Sequence, residues 1–181
     1  MLEIVRPGPL CTVQDGGRHG WAHLGVGHSG AADQVAFALA NRLVGNAPGA
    51  AVLEATFGGV AFRAQRAVLI AVAGAPCDIT VVGGPSVGHQ QPVALPVGAE
   101  VHLSVPRTGL RTYVAVRGGV DVHPVLGSRS TDLLSGLGPS ALSAGELLAV
   151  GPDPGTPVPT EAAPWRPWPE GPIALWPGPR L

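Results

Sequence analysis

With 181 residues, the chain is long enough to bury a hydrophobic core and fits one domain, or one domain with a tail. Only 13% of its residues are charged and the formal net charge is −1, so it offers no basic face for nucleic acid. All 11 basic residues are arginines, which excludes a Schiff-base lysine, a phosphate-loop lysine and biotin attached to this chain. Two cysteines do not make a disulfide framework, and no signal peptide or membrane-spanning run is visible, so we expect a soluble, cytoplasmic protein.

A short strand, Leu2 to Val5, is predicted first, and a polar, glycine-rich stretch follows it. The density of glycine between Gly16 and Gly30 predicts a folded-back loop, because glycine permits positive φ and close backbone approach. A polar loop that feeds a helix N-terminus can hold an anion or a carboxylate. The alternative is a structural corner whose polar side chains satisfy its own backbone. The local pattern leaves both interpretations open.

One helix is predicted after this loop, ending near Val44. Either Ser29 or Gly30 can cap it, and Asp33 lies in its first turn, where a carboxylate suits the helix dipole. A glycine and an asparagine end the helix. Its apolar face is predicted to consist of Ala31, Val35, Ala38, Leu39 and Leu43.

Short apolar runs separated by glycine and proline continue to residue 150. Gly58-Gly59, between runs at 52–54 and 60–62, predicts a β-hairpin. The run Ala67 to Ala73 is apolar throughout and predicts a strand buried on both faces, and the last strand is expected at Leu147 to Val150. About nine short strands with one helix predict a mainly β, closed or nearly closed barrel, because closure removes exposed strand edges.

The composition changes after residue 150, where prolines become dense and predict an extended linker over residues 151–172. Residues 173–176 resemble the start of another strand. We therefore predict a barrel domain over 1–150 and the start of a second, missing barrel domain over 173–181. The whole tail is expected to reach outward, to that second barrel or to another copy of the chain, because an unpaired strand tends to add to a neighbouring edge.

Three features of the loop match known site motifs incompletely. The glycines of residues 25–30 have dinucleotide-fingerprint spacing, but they do not follow a buried strand in a βαβ unit. His19, His23 and His28 lie in a glycine-rich setting without a second ligand cluster, so bonds to nearby carbonyls explain them better than a metal does. Nothing local supplies Cys11 with a base, and we expect it to be a small buried hydrophobe.

A second polar cluster is found at residues 117–121 and 127–132. Its two arginines, with serines, a threonine and glycines, can bind carboxylate or phosphate, because guanidinium offers a bidentate fork. The alternative is a loop whose arginines pair with Asp121 and Asp132. We expect a functional role, because this cluster matches the first polar stretch in character.

Six segments, in order within residues 3–150, carry a family resemblance: Thr12-Val-Gln-Asp-Gly-Gly-Arg18, Gly25-Val-Gly-His-Ser-Gly-Ala-Ala-Asp33, Ala40-Asn-Arg-Leu-Val-Gly-Asn46, Leu53-Glu54, Tyr113-Val-Ala-Val-Arg-Gly-Gly119 and Val125-Leu-Gly-Ser-Arg-Ser-Thr131. As a set they resemble the KipA family, also called the allophanate hydrolase subunit 2 or biotin-dependent carboxyltransferase-like family. This family includes the C subunit of 5-oxoprolinase and half of the carboxyltransferase region of urea carboxylase.

The resemblance implies a cyclophilin-like β-barrel with one principal helix, usually followed by a second barrel, with the site near their junction. It also implies an ATP-dependent, 5-oxoprolinase-type amidohydrolase that opens 5-oxoproline to glutamate. We expect ATP to be bound with partner subunits: a KipI-like protein and, in 5-oxoprolinase, a third, lactam-utilisation-like subunit. Two other functions stay open. One is a regulatory binding protein that antagonises a KipI-like kinase inhibitor, and the other is a carboxyltransferase half that needs a biotin carrier in trans.

Site positions are carried over by motif. Asp15 and Glu54 are the candidate catalytic residues, which would handle protons. Either Arg117 or Arg129 would hold a substrate carboxylate or a phosphorylated intermediate. No metal ligands are expected. The candidate substrate-binding residues are Gln14, Arg18, Asp33, Asn41, Arg117, Arg129, Ser130 and Thr131.

Overall fold

The structure is a computed structural model that describes residues 1–158, 162–165 and 171–172. This part contains one α-helix, α1 (Gln34–Leu43), one short 3-10 helix (Ala22–Leu24) and 11 strands. The strands are β1 (Leu2–Arg6), β2 (Leu10–Gln14), β3 (Val52–Thr56), β4 (Ala61–Ala64), β5 (Val68–Gly74), β6 (Ile79–Val81), β7 (Ser86–Val87), β8 (Pro92–Leu95), β9 (Glu100–Leu103), β10 (Arg111–Val116) and β11 (Leu147–Leu148).

Two antiparallel sheets enclose one hydrophobic core. The six-stranded sheet has the order β11-β1-β4-β9-β6-β7 and the five-stranded sheet the order β2-β3-β10-β5-β8. Inward-facing side chains of both sheets form the core, among them Ile4 and Phe62 from one sheet and Leu53, Ile70 and Val114 from the other. The expected mainly β, cyclophilin-like barrel with one principal helix is confirmed.

Helix α1 covers part of the outer face of the five-stranded sheet. Phe37, Ala40 and Leu43 form a second hydrophobic cluster with Ala71 and Ala73 of β5. Strand β5 is therefore buried on both faces, as its apolar run predicts. Because α1 lies over β5 and β10, the outer face of β2 and β3 is beside the helix, and this is where polar side chains gather.

The helix begins later than predicted, because Asp33 itself is the N-cap. Its side chain accepts hydrogen bonds from the backbone N–H groups of Val35 and Ala36. This start shifts the buried face by one residue, so that Ala36 is buried whereas Val35 is 80% exposed. The predicted apolar face is thus wrong at Val35 and Ala38, which is also exposed, and correct at Leu39 and Leu43. Ala31 is buried in the same cluster but precedes the helix.

Removing the cap should measurably destabilise the helix. We expect Asp33→Ala to lower the free energy of unfolding by about 1 kcal/mol, because two backbone donors lose their acceptor. Urea denaturation at neutral pH measures the change. Asp33→Asn is the control, since its amide oxygen can still accept, and equal losses in both variants would contradict the capping role.

The predicted hairpin around Gly58-Gly59 is wrong. Strand β3 pairs with β2 and β10 in one sheet, whereas β4 pairs with β1 and β9 in the other. Phe57, Gly58 and Gly59 all have positive φ, at 58°, 60° and 69°, so three successive left-handed residues redirect the chain from one sheet to the next. Gly58 also lies too close to the carbonyl oxygen of Ser104 for any Cβ.

Part of the proline-rich tail packs against the barrel, which contradicts the expectation that the whole tail reaches outward. Arg117 donates from Nε to the Asp153 carboxylate at 2.8 Å and from Nη2 to the Thr156 carbonyl at 2.7 Å. Farther along, the Ala163 N–H donates to the Gln90 carbonyl at 2.9 Å. The proline residues prevent strand pairing, but the partly buried Arg117 and the Gln90 carbonyl still hold the segment.

The structure does not test the remaining predictions about the tail. The predicted strand at 173–176 and the proposed second barrel over 173–181 lie outside the described residues. The division at residue 150 into a barrel and a linker over 151–172 stays a prediction. Among the described residues, no helix combines the length and apolar character that a bilayer crossing requires.

Candidate functional site

A cavity of about 180 Å³ lies on the outer face of the five-stranded sheet. Strand pairing places both Thr12 of β2 and Tyr113 of β10 opposite Glu54 of β3, so polar side chains of three strands meet. We call this space the Glu54 cavity. Its lining consists of Leu10, Thr12, Gln14, Ser29, Glu54, Arg111, Thr131, Asp132 and Leu133.

Glu54 is a buried carboxylate with two different oxygens. Its Oε2 accepts hydrogen bonds from the Tyr113 hydroxyl and the Ala32 N–H, both at 2.9 Å. Its Oε1 lies 3.6 Å from Nε of Arg111. Burial raises the pKa of the Tyr113 hydroxyl, which therefore stays protonated and donates. One oxygen is thus fixed by two donors, and the other faces a guanidinium across the cavity.

Gln14 and Thr131 line the same cavity with side chains that are almost entirely buried. The two side chains are 7% and 5% exposed. Among the described residues, Gln14 Oε1 and Thr131 Oγ1 are buried without any hydrogen-bond partner. Nearly all buried polar atoms in proteins are hydrogen bonded, so these two shielded oxygens are unsatisfied polar groups in the wall of the cavity.

Asp15 joins the two polar stretches of the sequence next to this cavity. Its Oδ1 accepts from the hydroxyls of Ser128 and Ser130 and from the Gly17 N–H, and its Oδ2 accepts from the Arg129 N–H, all within 2.6–2.8 Å. Burial alone raises the pKa of Asp15, but the hydrogen bonds from Ser130 and Ser128 and from backbone donors outweigh it and lower the pKa. Four donors therefore hold an ionised carboxylate in place.

Arg18 holds the backbone of the same segment that contacts Asp15. Its side chain is buried, and it donates from Nε to the Val125 carbonyl at 3.2 Å and from Nη2 to the Ser130 carbonyl at 2.5 Å. Nη1 is buried and has no partner among the described residues. Arg18 therefore fixes the backbone that carries Ser130 and Thr131, without lining the Glu54 cavity itself.

The guanidinium groups of Arg117 and Arg129 lie outside the Glu54 cavity. Arg117 is engaged by the tail and by the carbonyl of Val44. Arg129 lies 3.4 Å from Asp121 in a separate surface cavity, which agrees with the alternative of an arginine–aspartate pair. The arginine that does line the cavity is Arg111. The expectation that Arg117 or Arg129 shares a site with Glu54 is therefore not met.

Asn41 and Asp33 also have structural partners away from the cavity. Asn41 is fully buried, and it donates to the Ala50 carbonyl at 2.8 Å and accepts from Asn46 at 3.0 Å, which secures the turn after α1. Asp33 caps α1 and borders a larger neighbouring groove of about 520 Å³. Only Gln14, Glu54 and Thr131 of the expected residues line the Glu54 cavity.

Residues 24–181 match the family model described as carboxyltransferase domain, subdomain A and B. The chain belongs to this family. It is 42% identical over 138 residues to the C subunit of 5-oxoprolinase from Escherichia coli (strain K12), covering 76% of this chain and 44% of that protein. A urea amidolyase of Lachancea kluyveri is 36% identical over 138 residues, which are 76% of this chain and 8% of that protein. The expected resemblance is confirmed.

Solved structures give the same carboxyltransferase-like fold. The crystal structure of TTHA0988 superposes with a TM-score of 0.85 at 37% identity, covering 93% of this chain and 63% of that chain. The K. lactis urea amidolyase superposes with a TM-score of 0.79 at 33% identity, covering 82% of this chain and 9% of that chain. In the sequence comparison, the chain spans less than half the length of the 5-oxoprolinase subunit that it matches.

The Glu54 cavity of this carboxyltransferase-family chain also contains residues that were not predicted from the sequence. Thr12 was not among the predicted site residues, but it lies with Gln14 on β2, where Cys11 and Val13 alternate with them and face the core. Arg111 was missed because an arginine at a strand start usually points to solvent. The alternation of Arg111 and Tyr113 on one face of β10 was the available signal, but only the pairing with β3 places that face at Glu54.

The loop histidines and Cys11 have ordinary structural partners. Ring nitrogens of His19 and His28 lie 3.0 Å apart, and His23 Nδ1 lies 3.1 Å from the Gly20 carbonyl oxygen. In the described part of the chain, no group of three His, Cys, Asp or Glu residues could hold a metal ion. Cys11 is buried in the core, which confirms the expected small buried hydrophobe, and this burial raises the pKa of its thiol to about 12.

Acid should weaken the fold partly through Asp132. Its carboxylate accepts from the backbone N–H groups of Leu134 and Ser135 and from the Ser29 hydroxyl. Hydrogen bonds from Ser135, and then from Ser29 and Leu134, lower the pKa of Asp132 to about 2. A lowered folded-state pKa stabilises the protein above the unfolded value of about 4. That stabilisation is lost as the pH falls toward 2.

We therefore expect Asp132→Asn to flatten the decline of the unfolding free energy between about pH 4 and pH 2, because Asn does not titrate. Urea denaturation at a series of pH values measures this slope. Asp78→Asn, at a side chain 71% exposed, is the matched control and should keep the slope. An unchanged slope in Asp132→Asn would contradict the assignment.

Proposed function

We propose that this chain is a subunit, or the N-terminal half of a subunit, of a 5-oxoprolinase-type amidohydrolase that opens 5-oxoproline to glutamate. The observation that carries the proposal is the Glu54 cavity, where a buried carboxylate faces an arginine and the polar residues Gln14 and Thr131 complete the lining. The likeness to the C subunit of 5-oxoprolinase supports the substrate. Because the chain spans 44% of that relative, we assign the activity to the assembly with a KipI-like subunit and a third, lactam-utilisation-like subunit.

The two charged cavity residues have complementary roles in this proposal. Arg111, whose side chain is 30% exposed, would hold the substrate carboxylate through its guanidinium fork. Glu54 would take a proton from the attacking water through Oε1 and return it to the ring nitrogen as the carbon–nitrogen bond breaks. Asp15 would position the lining loop, because four donors already engage its carboxylate.

ATP does not fit the residues of the Glu54 cavity. Glu54 and Asp132 present negative charge to any phosphate that enters, and Arg111 is the single cation among the described lining residues. The chain also has no lysine to contact a triphosphate. We therefore expect ATP to be bound with the partner subunits, and biotin, in any carboxyltransferase role, to come from a separate carrier.

The test is the conversion of 5-oxoproline to glutamate by the full-length chain assembled with its partner subunits and ATP. We expect Arg111→Gln to lower kcat/KM roughly 10- to 100-fold, because a hydrogen-bonded ion pair to the substrate is lost. Arg107→Gln, at a side chain 83% exposed, is the control and should change nothing. A loss in Arg129→Gln without one in Arg111→Gln would move the substrate site to the Arg129 cavity.

A second function is favoured by a specific observation. The relatives include urea amidolyases, and the chain superposes on one of them with a TM-score of 0.79. As a carboxyltransferase half, the chain would transfer a carboxyl group from a biotin carrier in trans. Activity that requires a biotinylated partner and urea, with no turnover of 5-oxoproline, would establish this alternative.

A further inference from the structure

We infer that Tyr113 is a positioning residue for Glu54, because its hydroxyl holds Oε2 of the carboxylate and so leaves Oε1 as the atom that exchanges protons with a ligand. This inference rests on the proposed function in assigning the proton transfer to Glu54. The Tyr113 side chain is fully buried, and strand pairing places it opposite Glu54. It is not part of the lining of the Glu54 cavity. Tyr113 therefore acts through the carboxylate and does not touch the ligand.

The partners of the Tyr113 hydroxyl fix the direction of its hydrogen bonds. The Asp33 N–H lies 2.7 Å from the hydroxyl oxygen and can only donate to it. The hydroxyl carries one hydrogen, which it donates to Glu54 Oε2 at 2.9 Å. Burial raises the pKa of the hydroxyl, and the charge of Glu54 raises it further, so this hydrogen stays on Tyr113. One tyrosine thus connects the start of α1 to the carboxylate.

Glu54 Oε2 receives its second donor from the same place in the chain. The Ala32 N–H donates to it at 2.9 Å. Two adjacent peptide groups at the start of α1 therefore reach one oxygen, the first directly and the second through Tyr113. Two hydrogen bonds engage the lone pairs of this oxygen and favour the ionised carboxylate. A proton that Glu54 takes up is accordingly expected on Oε1.

Glu54 Oε1 is open to a ligand. It accepts no hydrogen bond in the described part of the chain, and Nε of Arg111 lies 3.6 Å from it. Unlike Gln14 Oε1 and Thr131 Oγ1, it is not one of the shielded side-chain atoms without a partner. Oε1 thus keeps accessible surface in the cavity, where it can take a proton from the attacking water and return it to the ring nitrogen.

The other titratable groups around the pair of Glu54 and Tyr113 do not hold Oε2. They are Arg111, Asp132, Asp33 and Cys11. The arginine faces Oε1, and both aspartate carboxylates accept from backbone N–H groups of their own segments. The cysteine lies on the core side of β2. Within the described residues, Tyr113 is thus the one titratable side chain that contacts Oε2.

Tyr113→Phe removes the hydroxyl and keeps the ring. In the assembled enzyme we expect kcat for 5-oxoproline to fall roughly 10-fold and KM to change less than about 2-fold, because the base loses its orientation while the cavity lining stays intact. The acid limb of the pH profile of kcat should move to higher pH by about 1 unit, because the ionised carboxylate loses a donor. A merely structural role of the hydroxyl would not move this limb.

A double-mutant cycle separates positioning from general damage. Tyr113→Phe should lower kcat less than about 2-fold when it is added to Glu54→Gln, which has no base to position. Thr112→Val is the matched control, because it removes another buried hydroxyl of β10, which donates to the Ala75 carbonyl at 3.0 Å. Its kcat and pH profile should stay those of the parent. Equal losses from Tyr113→Phe in both backgrounds, or the same loss in Thr112→Val, would overturn the inference.

Carbon-13 NMR of the chain alone tests the inference without turnover. In protein labelled at the glutamate carboxyl carbons, the Glu54 signal is the one that Glu54→Gln removes. During a titration toward acid, we expect this signal to shift at a pH about 1 unit higher in Tyr113→Phe than in the parent. A shift at the same pH in both proteins, or no shift in either while the chain stays folded, would overturn the inference.

A second variant gives the opposite change and covers the case in which Tyr113→Phe does not fold. The chain contains one tyrosine, so biosynthetic incorporation of 3-fluorotyrosine alters Tyr113 alone. Fluorine makes the hydroxyl more acidic and therefore a stronger donor to Oε2. The Glu54 signal should then shift at lower pH than in the parent. A shift at the parent's pH, or at higher pH, would contradict the role of the hydroxyl.

These outcomes separate the inference from the proposed function. A Glu54 signal that depends on the Tyr113 hydroxyl, together with an assembly that does not turn over 5-oxoproline, would keep Tyr113 as the residue that positions Glu54 and remove the 5-oxoprolinase assignment. Turnover of 5-oxoproline with an unchanged Glu54 signal and equal losses in both backgrounds would do the reverse. The NMR measurement uses neither ATP nor any partner protein, so the absence of an assembly component cannot imitate either result.

Discussion

Replacing Glu54 by glutamine is expected to lower the turnover of 5-oxoproline by about 10²- to 10⁴-fold, the size of a lost general base. The fold should survive. The Tyr113 hydroxyl and the Ala32 N–H need only an acceptor, and the amide oxygen of glutamine can replace Oε2 for both. The other oxygen becomes an NH₂ group beside Arg111, and this group cannot take a proton. The loss should therefore appear in kcat, with little change in the free energy of unfolding.

Glu100→Gln is the matched control, because Glu100 pairs with Arg63 and His102 on the six-stranded sheet, away from the cavity. Steady-state kinetics of the assembled enzyme and urea denaturation of the chain together make the test. Normal turnover by Glu54→Gln would reduce Glu54 to a partner that orients Tyr113 and the start of α1. A parallel loss in Glu100→Gln would show that the effect comes from general surface charge.

The largest effect on stability is expected for Asp15→Asn, which should lower the free energy of unfolding by about 2–5 kcal/mol. The asparagine NH₂ group would face a backbone or hydroxyl donor, and several buried donors would lose a charged acceptor. A typical domain is stable by only about 5–15 kcal/mol, so this is a large fraction. Urea denaturation at neutral pH, with the exposed Asp78→Asn expected within about 0.5 kcal/mol of the parent, measures it.

The same variant tests how the cavity depends on its support. Asp15 joins the loop after β2 to the segment that carries Ser130 and Thr131, so its loss should also weaken ligand binding by misplacing Thr131. If Asp15→Asn keeps its stability but loses turnover, Asp15 is the catalytic carboxylate that the sequence motif implies. If stability and binding fall together, Asp15 is the anchor of the site.

The elements that local pattern determines were predictable. The apolar run of β5 indicated a strand with both faces buried, and the glycines after Gly16 indicated a folded loop. The exact start of α1 was not predictable, because Ser29, Gly30 and Asp33 can all cap a helix and only the hydrogen bonds decide among them. The Gly58-Gly59 turn failed for a related reason. A glycine pair permits positive φ, but whether the chain then folds back or crosses to another sheet depends on tertiary pairing.

The site was predictable where a polar residue interrupts an apolar strand or belongs to a family motif. Glu54 is a charged residue between Leu53 and Ala55 in an apolar strand, and the family motifs include Gln14, Glu54 and Thr131. Arg111 and Tyr113 reach the cavity only through the register of β10 against β3, which no local pattern shows. Arginines are common on protein surfaces, so composition alone cannot tell a cavity arginine from one that pairs with a neighbouring aspartate.

The most direct test of the Glu54 cavity is chemical-shift mapping of 5-oxoproline on the isotopically labelled chain. The account predicts that the perturbations converge on the Gln14 side-chain amide and on the N–H groups of Ala32 and Thr131, which surround the cavity. Perturbations that centre instead on Gly119 and Asp121, in the separate cavity beside Arg129, would contradict it.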